Sequence, residues 1–219
     1  KYFNKKLILD KTKVGKENVR SLQKILENIE KIYKVDRHFL LAIWANETFF
    51  GRVMPRLDGL QVLSLLSFSS KNRQFYLNEL LYLIDFAIVN KINIKELKAS
   101  KAGALGQPQF LPSTLVKYAV DYDDNGNIDI WRSQSDTLAS IANYLNQFGW
   151  NNNLEWGYEV RLSKSISCYL EGPDHSRSLS QWKKLGASRF KGKEFPQDGL
   201  NESYSLMFPA GIYGPIYLV

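Results

Sequence analysis

Asp121, Asp123, Asn125, Asn127 and Asp129 place an oxygen-bearing side chain at every second position of one short stretch. Residues 121–136 read DYDDNGNIDIWRSQSD, with Gly126 sixth and Ile128 eighth. A hard divalent cation takes about six to eight oxygens, and a glycine at the sharp bend lets the chain gather them. The spacing therefore reads as an EF-hand-like calcium loop. A second chemical group lies upstream. Leu40, Ile43, Trp44 and Glu47 follow the i, i+3, i+4, i+7 spacing of one helix face, which sets a lone carboxyl among large apolar side chains. A carboxyl shielded from water holds its proton to higher pH and can donate it as a general acid. The plainer alternative is a glutamate near a helix end that reaches water or pairs with Arg52.

A third stretch, SKAGALGQPQF over residues 100–110, mixes small residues with two amides. Small side chains let a ligand approach the backbone, and an amide such as Gln109 both donates and accepts, which suits sugar hydroxyls and acetamido groups. The alternative is a tight connection in which small residues only permit close packing. The metal loop and the shielded acid together point to an enzyme that cuts a polymer.

These groups need elements to hold them. Apolar residues at helical spacing predict helices over residues 19–33, 37–50, 72–90 and 135–148, with a further helix starting at Pro112 and Ser113. Asp36 is placed as an N-cap, and Gly51 and Gly149 as helix stops. Beyond Trp150 the pattern changes. Apolar residues fall on even positions over residues 158–170, broken at Lys164, which predicts a strand. The remainder is rich in turn residues, among them Gly172, Gly199, Pro209, Gly211 and Gly214. The expected fold is α+β and mainly α: a helical region over residues 1–150 carrying the calcium loop at 121–136, then a small β-rich domain over 151–219.

The 219 residues suffice to bury a real core. The net charge of +7 suits either a soluble basic surface or attraction to a polyanion such as a bacterial wall. The basic residues form no long run, so a nucleic-acid partner is not expected. Cys168 is the one cysteine, which excludes an internal disulfide. No run of about eighteen apolar residues predicts a transmembrane helix.

Residues 47–51 (ETFFG), 100–113 (SKAGALGQPQFLPS), 118–121 (YAVD) and 140–144 (SIANY), with the calcium loop between the last two, together resemble the lytic murein transglycosylases of the membrane-bound B type, glycoside hydrolase family 103. The likeness is close over about residues 35–150 and looser beyond, where FPAG at 208–211 and Gly214-Pro215 also look familial. It implies a lysozyme-like helical core and cleavage of the β-1,4 bond between N-acetylmuramic acid and N-acetylglucosamine, with closure of a 1,6-anhydro ring. Glu47 would act first as acid and then as base, without the second carboxylate of ordinary glycosidases. Ser100, Gln109, Phe110, Tyr144 and Phe75 would line the sugar groove, with the Tyr144 hydroxyl near Glu47. A structural Ca²⁺ would be held by Asp121, Asp123, Asn125, the main-chain oxygen of Asn127 and the carboxylate of Asp136, with Asp129 acting through water or by orienting the others.

The resemblance further implies a monomer in the periplasm or cell envelope, its export signal removed, with peptidoglycan glycan strands as partner. The sequence departs from the pattern in three places. Arg132 stands where an EF-hand has a bidentate glutamate. Lys71 and Asn72 stand where the family often has paired arginines. The family's later tyrosine-asparagine segment does not occur before Val219, so the chain reads as truncated there and one side of the groove as incomplete. A different class remains open, a non-catalytic wall-binding scaffold stabilised by calcium. A calcium sensor fits less well, because sensors pair their EF-hands and one loop is visible.

Overall fold

The computed structural model describes residues 5–152, 155–164, 166–197, 200–211 and 213–219. The chain divides into two compact units, with the boundary between residues 152 and 153. The first is helical. Its elements are α1 (Lys5–Ser21), α2 (Gln23–Tyr33), α3 (Arg37–Thr48), α4 (Gly59–Ser69), α5 (Arg73–Val89), α6 (Pro112–Tyr118) and α7 (Gln134–Gln147). A two-residue strand β1 (Leu57–Asp58) pairs antiparallel with β2 (Lys98–Ala99).

Local chemistry sets most of these boundaries. Asp36 accepts the backbone N–H of His38 at 2.7 Å and starts α3, as its N-cap position predicts. Ser133 caps α7 through the N–H of Asp136 at 3.1 Å. Glu79, only 3% exposed, accepts both the N–H and the hydroxyl of Ser113 at 2.8 and 2.7 Å, so α5 caps the first turn of α6. The helix expected over 72–90 is α5, lying between Asn72 and Asn90.

Two expectations change. The helix expected over 19–33 belongs to two helices that meet at Leu22, whose φ of −106° and ψ of 17° leave the helical region. The apolar spacing runs across that bend, so periodicity alone does not reveal it. Helix α4 was not expected. It opens on Gly59 and interleaves apolar residues with Gln61, Ser64 and Ser67, so that no clear apolar face emerges. The glycine is required by close approach, because a Cβ there would stand 2.5 Å from the carbonyl oxygen of Leu97.

The helical core gathers Leu26 and Ile29 of α2, Leu40 and Trp44 of α3, Leu63 of α4, Leu83 of α5, Leu115 of α6 and Leu138 of α7, all fully buried. Each contributes about 1.5–3 kcal/mol by leaving water. This packing fixes α3 from one side and leaves its last turn to carry Glu47. No helix among the described residues is long and apolar enough to cross a membrane.

The second unit contains β3 (Tyr158–Leu162), β4 (Arg177–Ser178), α8 (Leu179–Lys184), β5 (Ala187–Arg189), β6 (Ser203–Tyr204), β7 (Leu206–Met207) and β8 (Ile216–Leu218). A four-stranded antiparallel sheet runs in the order β5-β3-β8-β7, and β4 pairs with β6. Trp182 is fully buried and its indole N–H donates to the carbonyl of Tyr204 at 2.8 Å. The strand expected over 158–170 ends at Leu162. Ser163 donates to the carbonyl of Gly186 at 2.9 Å, and Cys168–Leu170 forms a 3₁₀ turn that leaves Cys168 exposed. The break at Lys164 therefore ends the strand. Gly199 lies outside the described residues.

Candidate active site

Helix α3 ends in an abrupt reversal. Phe49, Phe50 and Gly51 have φ of 49°, 59° and 75° in succession. Two phenylalanines in the left-handed region are costly, on the order of 1–2 kcal/mol each. Surrounding packing holds them: the Phe50 ring meets Trp44 at 5.4 Å and Phe49 at 6.0 Å. The helix stops two residues before the expected limit at Phe50, because the turn begins at Phe49 rather than at the glycine.

Glu47 is on the last turn. Its face is mixed: Leu40 and Trp44 are buried, Ile43 half-buried and Glu47 itself exposed, so the carboxyl is not sealed among apolar neighbours as its spacing suggests. Burial nevertheless raises its pKa, opposed by the positive charge of Lys11. Both facts hold for a group that a water molecule can touch while protein displaces much of its wider solvent shell. Glu47 takes no hydrogen bond or ion pair among the described residues. Arg52, the alternative partner, lies over the Phe49 ring at 5.6 Å instead. The result is a carboxyl disposed to keep its proton, open to solvent and unengaged, as an acid–base group requires.

A buried amide ties this turn to the small-residue loop. Gln107, 4% exposed, accepts the Trp44 indole N–H through Oε1 at 2.8 Å and donates through Nε2 to the carbonyl of Trp131 at 3.2 Å. Its backbone carbonyl accepts the Thr48 hydroxyl at 2.9 Å, and its N–H donates to Ile130 at 2.8 Å. The loop, the turn bearing Glu47 and residues 130 and 131 of the acidic stretch thus meet at one residue. The site reading of the sequence passed over Gln107 in favour of Gln109.

The expected groove residues separate into groups. The Ser100 hydroxyl accepts the N–H of Ala104 at 3.2 Å and closes its own turn. Gln109 has φ of 54°, and its Nε2 donates to the carbonyl of Gly106 at 2.8 Å. Phe110 is buried and pairs through its backbone with Leu105. Its ring lies 5.6 Å from that of Tyr144, which also meets Tyr118 at 5.3 Å and Phe148 at 4.6 Å. Phe110 and Tyr144 are therefore brought together. No hydrogen bond joins Tyr144 to Glu47 among the described residues. Phe75 stands exposed on α5 against Tyr76 at 5.1 Å.

In the acidic stretch, carboxylate oxygens of Asp121, Asp123 and Asp136 lie within 4.8 Å of one another. Asp121 accepts from the N–H groups of Asn125 and Gly126 at 3.1 and 2.7 Å. Asp136 is fully buried and accepts from Tyr122 and Asp129 at 3.1 and 2.9 Å. The Asn125 side chain accepts from the Asn127 N–H at 2.9 Å. Asp129 turns its carboxylate to the N–H groups of Trp131 and Arg132 at 3.0 and 2.9 Å. Asp123 is held above the usual carboxylate range, first by lost solvation and then by the like charge of Asp136. Two oxygens bound to one Ca²⁺ at about 2.3–2.6 Å can stand at most about 5 Å apart. The donors present fit such an ion in both spacing and chemistry, and it would relieve their repulsion.

The sequence matches over residues 1–219 the family described as a transglycosylase SLT domain. It is 36% identical over 121 residues to membrane-bound lytic murein transglycosylase B of Escherichia coli K12, covering 55% of this chain and 33% of that protein. Its structure is similar to SltB3 from Pseudomonas aeruginosa in complex with NAG-NAM-pentapeptide, with a TM-score of 0.86 and 33% identity over 95% of this chain and 56% of that one. SltB3 in complex with NAG-anhNAM-pentapeptide gives a TM-score of 0.85 with the same identity and coverage. The Escherichia coli transglycosylase Slt35 in complex with calcium gives 0.82, with 26% identity over 95% of this chain and 65% of that one. The chain thus spans about a third of the curated relative and little over half of SltB3. Having a family match along its whole length, this chain belongs to the transglycosylase SLT domain family.

Proposed function

We propose that the protein is a lytic transglycosylase that cleaves the MurNAc-β-1,4-GlcNAc bond of peptidoglycan and leaves a 1,6-anhydromuramyl end. The observation that carries this reading is the single carboxyl of Glu47, unengaged and with its pKa raised by burial, on the last turn of α3. The SltB3 complexes with NAG-NAM and NAG-anhNAM pentapeptides support the substrate class and the anhydro product.

Protonated Glu47 donates to the glycosidic oxygen, and the bond from that oxygen to muramyl C1 breaks. The muramyl O6 then attacks C1 while its proton passes to the Glu47 carboxylate. The acid is regenerated and no water is consumed. One residue serves both steps because the two oxygens are handled in turn. The substrate's own N-acetyl group stabilises the cationic anomeric carbon in place of a second carboxylate. Phe110 and Tyr144 form an aromatic wall for the sugar, and Ser100, Gln109 and Phe75 complete the groove.

The helical unit is the catalytic domain in this reading. Asp121, Asp123, Asn125, Asn127 and Asp136 hold a structural Ca²⁺ in an EF-hand-like loop, with Asp129 orienting it. The ion would supply charge balance to the loop, whose residues Ile130 and Trp131 bond Gln107. The protein works as a monomer on glycan strands in the periplasm or cell envelope. Mass spectrometry of fragments released from purified peptidoglycan tests the reaction, since an anhydro end and a reducing end differ by one water. Anhydro ends are expected. Reducing ends alone would reassign the enzyme as a hydrolase.

A further inference from the structure

A groove of about 660 Å³ runs between α1 and α3, on residues to which the proposed reaction assigns no role. Val19, Leu41, Ala45 and Phe50 supply apolar walls, while Lys11, Lys16 and Arg20 supply positive charge. No acidic side chain is among its thirteen lining residues. Lys16 and Arg20 stand one turn apart on α1 and so share a face. Both are exposed, and neither joins an ion pair or hydrogen bond among the described residues. Lys11 is already engaged with Asn46 at 2.6 Å, and His38 with Asp36 at 2.8 Å. The bond of Lys11 to a neutral amide leaves its charge in place, so Lys11, Lys16 and Arg20 are all cations of the rim, and Lys16 and Arg20 have no side-chain partner among the described residues.

The groove is opened by a residue that a helix would not otherwise favour. Gly15 sits inside α1, where glycine weakens a helix. A Cβ at this position would meet only Phe50 Cζ, at 3.5 Å, so the backbone does not require glycine here. Its missing side chain leaves the space between the helices empty. The volume falls within the about 300–1,000 Å³ of small-molecule pockets. The lining is short of the about 20–30 residues a side of a stable protein interface. An apolar trough with uncompensated cations at its edge matches a molecule that is apolar along its length and anionic at one end.

We propose that the α1/α3 groove binds a single-chain amphiphile with an anionic carboxylate or phosphate head, the chain lying against Val19, Leu41, Ala45 and Phe50 and the head on Lys16 and Arg20. Glu47 is not among the groove's lining residues, although Lys11 on its rim also acts on that carboxyl, and the proposal does not depend on the assigned reaction.

Titration calorimetry of the whole chain with dodecyl phosphate, kept below its micelle concentration, tests this. One molecule is expected to bind per chain. Inorganic phosphate, which lacks the chain, and dodecyltrimethylammonium, which reverses the head charge, are expected to bind at least about tenfold more weakly. Gly15→Leu fills the trough with a better helix former and is expected to abolish binding while circular dichroism stays unchanged. The pair Lys16→Gln and Arg20→Gln, both at exposed positions, is expected to weaken binding by about tenfold or more. Equal affinity for the cationic amphiphile, unsaturable uptake, or undiminished binding by Gly15→Leu would overturn the proposal. So would self-association of the native chain that Gly15→Leu abolishes, since the groove would then be an interface between copies.

Discussion

Trp44 Nε1 and Gln107 Oε1 meet at 2.8 Å in a fully buried hydrogen bond that joins the helix bearing Glu47 to a loop 63 residues away in sequence. The same amide reaches the carbonyl of Trp131, within the acidic stretch. Gly51 must be a glycine for the same reason, since a Cβ there would stand 2.4 Å from that Oε1. The turn that carries Glu47 is thus tied in place by a buried amide.

Replacing Gln107 with leucine keeps the volume and removes both side-chain hydrogen bonds. The Trp44 N–H is then buried without an acceptor, which costs about 1–3 kcal/mol. Urea unfolding should show a midpoint lowered accordingly, with the slope unchanged. A midpoint equal to that of the native chain would mean the amide is dispensable.

Lys11 is the one neighbour whose charge opposes the raised pKa of Glu47. In the proposed mechanism Glu47 holds its proton when catalysis begins, so activity is expected to fall as pH rises through its pKa. Lys11→Met removes the opposing charge, and the alkaline limb of kcat/KM should move to higher pH. The sign for stability agrees. A carboxyl with a raised pKa binds its proton more tightly in the folded state, so its contribution is full at pH below the unfolded value and is lost as pH rises through the folded one. An alkaline limb that stays in place or moves down would separate Lys11 from the acid.

Calcium should stabilise the chain by mass action on the folded state, by about 2.7 kcal/mol at a hundredfold excess over its dissociation constant. Asp123→Asn keeps the size of an exposed side chain, removes one of the three converging carboxylates, and should shrink that gain. Thermal melts with calcium and with a chelator provide the measurement. Identical melting temperatures in both would leave the loop without an ion.

Much of this was legible in the chain because its signals are local. Asp36 caps α3 through a residue two positions away, and the asparagines at 72 and 90 bracket α5. The acidic loop is likewise a matter of spacing within sixteen residues. What escaped depends on distant partners or on the absence of pattern. Gln107 looks like any loop amide until Trp44 and Trp131 are brought beside it, and only its place between Gly106 and Pro108 hinted at a tight site. Helix α4 interleaves apolar and polar residues without gathering them on separate faces. Glu47 shows the limit of helical spacing, which places its carboxyl beside Trp44 but does not reveal that the last turn faces water.

Glu47→Gln tests the central claim most directly, because it keeps the side chain's shape and removes only its titratable proton. The account predicts that release of anhydro-muropeptides from purified peptidoglycan falls below detection, while the melting temperature and binding to the insoluble wall stay near those of the native chain. Turnover within a few fold of the native rate would contradict it and move the proton transfer to another group.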